Sequence, residues 1–207
     1  MTSPTLEAEF FSDKKTAAIV GAARKMFLTK GFDAASMDEI ALTASVSKRT
    51  VYNRFRSKEE LFGAAIEQTC KSLVPVNMAE IDPTVPAEEF IKSLSIQFVE
   101  GLFQPDALSL RRIAAFEAER TPEIGRTYME HGPQWMVDQC APLLAKIAEN
   151  SSLDIDDPKA ALWQLGVLIT EPLHTRLLMG AAPKDLPAAI AKQVDQGVRA
   201  FFKLYST

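Results

Sequence analysis

From Ser47 to Lys58 the chain carries five basic side chains and no acidic one, within a protein whose formal charge is −4. Tyr52 and Phe55 are interleaved with those charges, together with the hydroxyls of Ser47 and Thr50 and the amide of Asn53. Cations among groups that donate and accept hydrogen bonds suit a polyanion whose edges must also be read. A short helix bearing them fits the DNA major groove. Lys48 and Arg49 are placed to meet guanine O6 and N7 or nearby phosphates, and Thr50 and Tyr52 a thymine methyl or a backbone oxygen. Asn53 and Arg56 share the segment and read equally well as solvated surface. Ser36 and Ser47 are of the type that caps helix N-termini, and the free N–H groups of such ends attract phosphate.

The rest of the sequence offers little competing chemistry. Between Asp13 and Glu60 there are 10 Lys/Arg against 6 Asp/Glu, whereas the remainder holds 13 against 21. A head of net charge +4 therefore sits on a body of net charge −8, which points to a polyanion-binding part joined to something else. Cys70 and Cys140 lack paired spacing and, with His131 and His174, assemble no familiar metal site. They read as reduced core thiols, with redox sensing as the sharper alternative. No phosphate-binding glycine loop, nucleophile elbow or zinc-protease motif is present, and Glu117 and Glu119 diverge on a helix. Hence the chain is expected to be no enzyme and to need no cofactor. No apolar run approaches a membrane span, so a cytoplasmic location without membrane contact is expected.

Helices must position these groups. Apolar residues from Ala17 to Leu28 recur at three- and four-residue steps, predicting one helix that ends at Lys30-Gly31. Ser36-Met-Asp-Glu39 and Ser57-Lys-Glu-Glu60 are capping boxes that open a second and a fourth helix. The third starts at Ser47 after Ala44-Ser-Val46, the spacing of a helix-turn-helix, with Val46, Val51 and Phe55 as its core. Residues 1–12 read as a mobile lead and Asn77 to Pro86 as a linker. Further helices are expected near 87–103, 107–120, 123–130, 133–150, 158–180 and 186–205. The fold class is all-α, about nine helices, with a DNA-binding domain over 1–60 and a helical ligand-binding and dimerisation domain over 61–207.

The run Met37 to Leu61, with Ala22-Ala-Arg-Lys-Met-Phe27 and Lys30-Gly-Phe32 upstream, resembles the DNA-binding domain of the tetracycline-repressor (TetR) family. Arg111-Arg112, Glu117 to Gly125 and Gly132-Pro133 are similar to its AefR-like branch. Two positions depart from the family pattern. Ser45 stands where the turn usually has Gly, and Arg54 where His is common, Arg serving the same phosphate role with a permanent charge. The resemblance implies Tyr52 on phosphate and Lys58 as a phosphate clamp. It implies a homodimer, most often a repressor, on a palindromic double-stranded operator, released by a small-molecule effector. Candidate effector contacts in the body are Phe98, Phe103, Arg112, Phe116, Trp135, Trp163, Glu171 and His174. The residues alone leave plain core as the other reading, especially for His174.

For dimerisation the resemblance points to the last two helices. Residues 160–179 are apolar nearly all round, and on a monomer's surface that helix would expose a large patch. Ile190, Val194, Val198, Phe201 and Phe202 could join it in an isologous four-helix interface, or the helix could be central in its own body. An all-α enzyme or carrier, and a DNA-binding protein without effector, are the alternative functions.

Overall fold

A computed structural model describes residues 13–73 and 85–206. The expected lead and, except for Val85 and Pro86, the expected linker lie outside them. The apolar steps after Asp13 close one side of α1 (Lys14–Ala34), where Ile19, Val20, Ala23 and Phe27 are fully buried. Asp13 caps its start by accepting from the Lys15 amide at 3.2 Å. Gly31 takes φ 81°, a conformation that costs a residue without Cβ little, and there the helical path breaks as the sequence predicts.

Next come α2 (Met37–Thr43) and α3 (Lys48–Arg54), and α4 (Lys58–Lys71) follows. Ser36 Oγ accepts from the Glu39 amide at 3.2 Å and Ser47 Oγ from the Thr50 amide at 3.1 Å, so both act as N-caps. At the second capping box Ser57 Oγ accepts from the Glu60 amide, and the Glu60 carboxylate accepts from the Arg56 amide. In the turn between α2 and α3, Ser45 holds φ 55°. Its amide donates to Leu42 and that of Val46 to Ala41, and these bonds keep the chain in that left-handed step. Phe27, Phe32 and Phe62 pack with ring centroids 5.2–5.6 Å apart. Val51 and Phe55 point from α3 into the same interior, essentially without exposure.

Beyond the undescribed segment follow α5 (Ala87–Leu102), α6 (Pro105–Ala118) and α7 (Pro122–Met129). A π-helical stretch, Glu130–Gln134, then leads into α8 (Trp135–Glu149). The chain closes with α9 (Pro158–Thr170), α10 (Leu173–Leu178) and α11 (Leu186–Tyr205). The long helix expected to reach Gly180 is thus two, separated at Glu171-Pro172, because Pro cannot donate the bond that would continue α9. Among the described residues every element is helical apart from one isolated bridge, Leu153 to Ser206.

Two compact units result. Among the described residues, one contains 13–69 and Ser109–Gly132; the other contains 70–73, 85–108 and 133–206. That division differs from a cut after residue 60, for a steric and hydrophobic reason. Leu61, Phe62 and Ala65 of α4 are fully buried in the first unit. Gly63 lets α7 and the π-helical stretch come close: a β-carbon there would lie 2.7 Å from His131 Cδ2 and 3.0 Å from Thr127 Cγ2. In the second unit α9 packs on α8 and α11, and α11 on α5. Gly197 permits the α9–α11 crossing, since a β-carbon would stand 2.5 Å from the Leu168 carbonyl oxygen.

A left-handed conformation costs an L-residue roughly 1–2 kcal/mol, and glycine recovers part of that against its greater chain entropy. Ser45→Gly is therefore expected to leave the first unit's unfolding midpoint unchanged or raise it by about 2–4 °C, whereas Ser45→Val lowers it. Calorimetry checks this; a lower midpoint for the glycine variant would show that the turn is not strained.

Candidate nucleic-acid interface

Because α3 is only two turns long, its inward and outward faces are sharply divided. Val51 is buried, while Lys48, Arg49, Tyr52 and Asn53 form the exposed side and Thr50 is half-buried beside the Ser47 cap. The hydroxyls of Ser47 and Thr50 lie 2.8 Å apart. The structure thus brings most of the expected reading residues onto one face of one short helix. Ser36 stands apart at the start of α2, exposed.

The cations differ in how they are held. Arg49 is exposed and has no ion pair among the described residues, so its five donors remain available. Lys48 Nζ donates to Asp38 Oδ2 at 2.5 Å; that hydrogen bond raises the ammonium's pKa above its usual value. Arg54 is half-buried and donates to Asp13, whose carboxylate lies below its usual range chiefly through the Lys15 amide. It ties the exit of α3 to the start of α1. Lys58 Nζ donates to the carbonyls of Phe32 and Asp33 at 2.7 and 3.1 Å and sits 4.4 Å from the Phe32 ring centre. Lys58 therefore closes the end of α1, and of its three donors one is left for phosphate. Asp33 also accepts from Arg120 at 2.9 Å, and Glu39 is held below the usual carboxylate range by the hydrogen bond from Lys30. Sequence reasoning found the cations but missed Asp13 and Asp38, which partner them across 41 and 10 residues. No local pattern marks such pairs.

The second unit holds an apolar cavity of about 180 Å³ between α5, α8 and α9. Phe98 and Trp163 line it, as expected of effector contacts. The other six candidates lie elsewhere. Phe103 is buried and packs on the buried His174 ring at 5.5 Å. Glu171 accepts from the Thr175 hydroxyl at 2.7 Å, and the Lys71 ammonium stands 5.7 Å from the Trp135 ring centre. Arg112 and Phe116 belong to the first unit, with Phe116 66% exposed. The missed lining residues include Ser95, Cys140 and Leu144. Their helical stripes are readable in sequence, but whether the stripes leave a gap is not.

The expected dimer stripe also changes. Leu165, Ile169, Leu173, Leu177, Ile190, Val194, Val198 and Phe201 are all buried within their own unit, so they cannot also face a partner. What α9 leaves exposed is Lys159, Ala160, Trp163, Gln164 and Val167, and what α11 leaves exposed is Pro187, Ala188, Ala191, Lys192, Gln196, Arg199, Lys203 and Leu204, with Val167 57% and Leu204 65% exposed. Among the described residues no helix is long and apolar enough to cross a membrane.

Comparison with known proteins places this geometry. Residues 19–65 match the family model of bacterial regulatory proteins of the tetR family, and residues 89–207 that of the AefR-like transcriptional repressor C-terminal domain. A TetR-family transcriptional regulator of Mesorhizobium loti superposes with a TM-score of 0.75 at 28% identity, covering 94% of this chain and 97% of its own. The flavonoid-responsive regulator FrrA gives 0.70 at 30% identity over 94% and 98%. In sequence the chain is 40% identical over 62 residues to the transcriptional activator FasR of Mycolicibacterium smegmatis, which is 30% of this chain but only 28% of that relative. Against the regulator BetI of Rhizobium meliloti it is 25% identical over 86% of this chain and 85% of the relative.

The Asp38 and Lys58 contacts make opposite predictions. Asp38→Asn frees the Lys48 ammonium and removes a negative charge, so binding to any duplex DNA at low salt should tighten, roughly two- to fivefold for an exposed pair. Lys58→Ala should weaken DNA binding and also lower the unfolding temperature, while Arg49→Ala weakens binding alone. Fluorescence anisotropy with parallel thermal melts checks both. A weaker Asp38→Asn complex would mean that the carboxylate orients Lys48 rather than competing for it.

Proposed function

The chain belongs to the tetracycline-repressor (TetR) family of bacterial DNA-binding transcriptional regulators, and on that premise we propose that it is a homodimeric, ligand-released repressor. It is a regulator and not an enzyme. The observation that carries the DNA reading is the outward face of α3, Lys48, Arg49, Tyr52 and Asn53, in a stretch without one acidic residue. In this reading Arg49 and Lys48 address guanine edges, and Tyr52, Arg54, Lys58 and the capped starts at Ser36 and Ser47 address phosphates. Thr50 packs beside the cap and offers its methyl to thymine.

Two copies joined by a two-fold axis would present two such helices to a palindromic operator. The exposed faces of α9 and α11 supply the self-complementary surface, with Val167 and Leu204 as its apolar centre. Repression is favoured because the AefR-like repressor domain matches residues 89–207. Control by a small molecule is supported by the apolar cavity and by the flavonoid-responsive character of FrrA. Effector and operator would then oppose each other through a coupling free energy of about 1–3 kcal/mol.

Affinity for operator DNA should fall linearly in log–log form with salt, with a slope of about −0.9 per neutralised phosphate. The combined Val167→Asp and Leu204→Asp variant is expected to stay folded, to halve its mass by light scattering and to lose operator binding. A variant that remains dimeric would remove α9 and α11 from the interface.

A further inference from the structure

Among the described residues, sixteen surround the cavity in the second unit and none of them carries a formal charge. Apolar stripes line three sides: Ile91, Leu94 and Phe98 on α5; Met136, Leu144 and Ile147 on α8; Leu162, Leu165 and Ile169 on α9. The side-chain polar groups are few. Ser95 contributes a buried hydroxyl, Trp163 an indole N–H at a position 39% exposed, and Cys140 a thiol. Burial pushes that thiol's pKa upward, which keeps it neutral and a poor nucleophile. Beside this lining Asp138, next to Val137, accepts from Lys159 at 2.7 Å and is held below the usual carboxylate range by that bond. Both side chains are exposed and neither belongs to the lining. Arg112, Glu171 and His174, the polar groups that could have matched an ionic effector, stand outside the lining.

A charge brought among these apolar side chains would lose water and meet no counter-ion from the described lining, whereas an apolar group gains by leaving water. Size sets a second limit. A cavity of about 150 Å³ lined by aliphatic and aromatic side chains takes a benzene ring, and drug-sized ligands occupy roughly 300–1,000 Å³. We propose that this cavity binds an uncharged, predominantly apolar molecule of the bulk of one or two rings, or of a medium-length chain, with Ser95 as its hydrogen-bonding partner. The proposal rests on the reading of the second unit as the effector domain, and it names the chemistry that this domain recognises.

Three probes of equal length separate the possibilities at neutral pH: 1-octanol, octanoate and octylammonium. Trp135 and Trp163 are the chain's two tryptophans, so Trp135→Phe leaves the cavity's own indole as the reporter. Octanol is expected to change Trp163 emission saturably, with the two ions at least about tenfold weaker. Octanol should also raise the unfolding midpoint of the unsubstituted protein, a readout that needs no tryptophan substitution. Ser95→Ala should weaken octanol roughly two- to tenfold and leave toluene unaffected. Either ion binding as tightly as octanol, or no rise in the unfolding midpoint with any probe, would overturn the proposal. If octanol fills the cavity with these preferences and operator affinity stays the same, the ligand chemistry stands and the effector reading fails.

Discussion

A helix of two turns cannot hold itself together in water, and α3 has seven residues. Its existence depends on the burial of Val51 and Phe55 in an interior built from α1, α2 and α4, with Phe27, Phe32 and Phe62 in mutual ring contact. Everything that α3 presents outward follows from that inward anchoring. Two inward residues fix the rotation of the helix, the Ser47 cap fixes its start, and the Ser45 turn fixes its angle to α2. Lys48, Arg49, Tyr52 and Asn53 are then left on one side.

The same interior explains why so few of the basic residues are idle. Lys58 and Arg54 join elements distant in sequence, one by closing the end of α1 on two carbonyls, the other by meeting the cap at Asp13. Lys48 is held by Asp38 on the preceding helix. A positively charged surface must hold like charges close together, and these acceptors lower that cost while leaving the field outward. DNA would have to displace Asp38 from Lys48 but nothing from Arg49, which gives the two neighbours different parts in the free energy of binding.

How much of this was legible in the sequence varies with the range of the interaction. Local signals carried well: both capping boxes, the Gly31 exit, the two-turn reading helix, and the all-α class. Ser45 was readable as a turn position with an unusual residue, and it does hold positive φ. Long-range placement carried poorly. Nothing near Ser109–Gly132 in the sequence says that it packs with the N-terminal helices, because that depends on the missing side chain of Gly63. Aromatic residues are a partial guide to the pocket: Phe98 and Trp163 line the cavity, whereas Phe103 fills core and Phe116 faces outward. The rest of the cavity wall comes from aliphatic stripes on three helices that do not quite meet. The apolar α9 and α11 illustrate the same limit: hydrophobic content marks burial, but not whether the burying partner is the same chain or a second copy.

If the exposed side of α3 reads DNA sequence, selection of bound duplexes from a random pool must depend on it. With the intact protein a site with two-fold symmetry should be enriched. With Arg49→Ala the preference should relax at one base pair in each half. Enrichment that is identical for both proteins, or none for either, would contradict it.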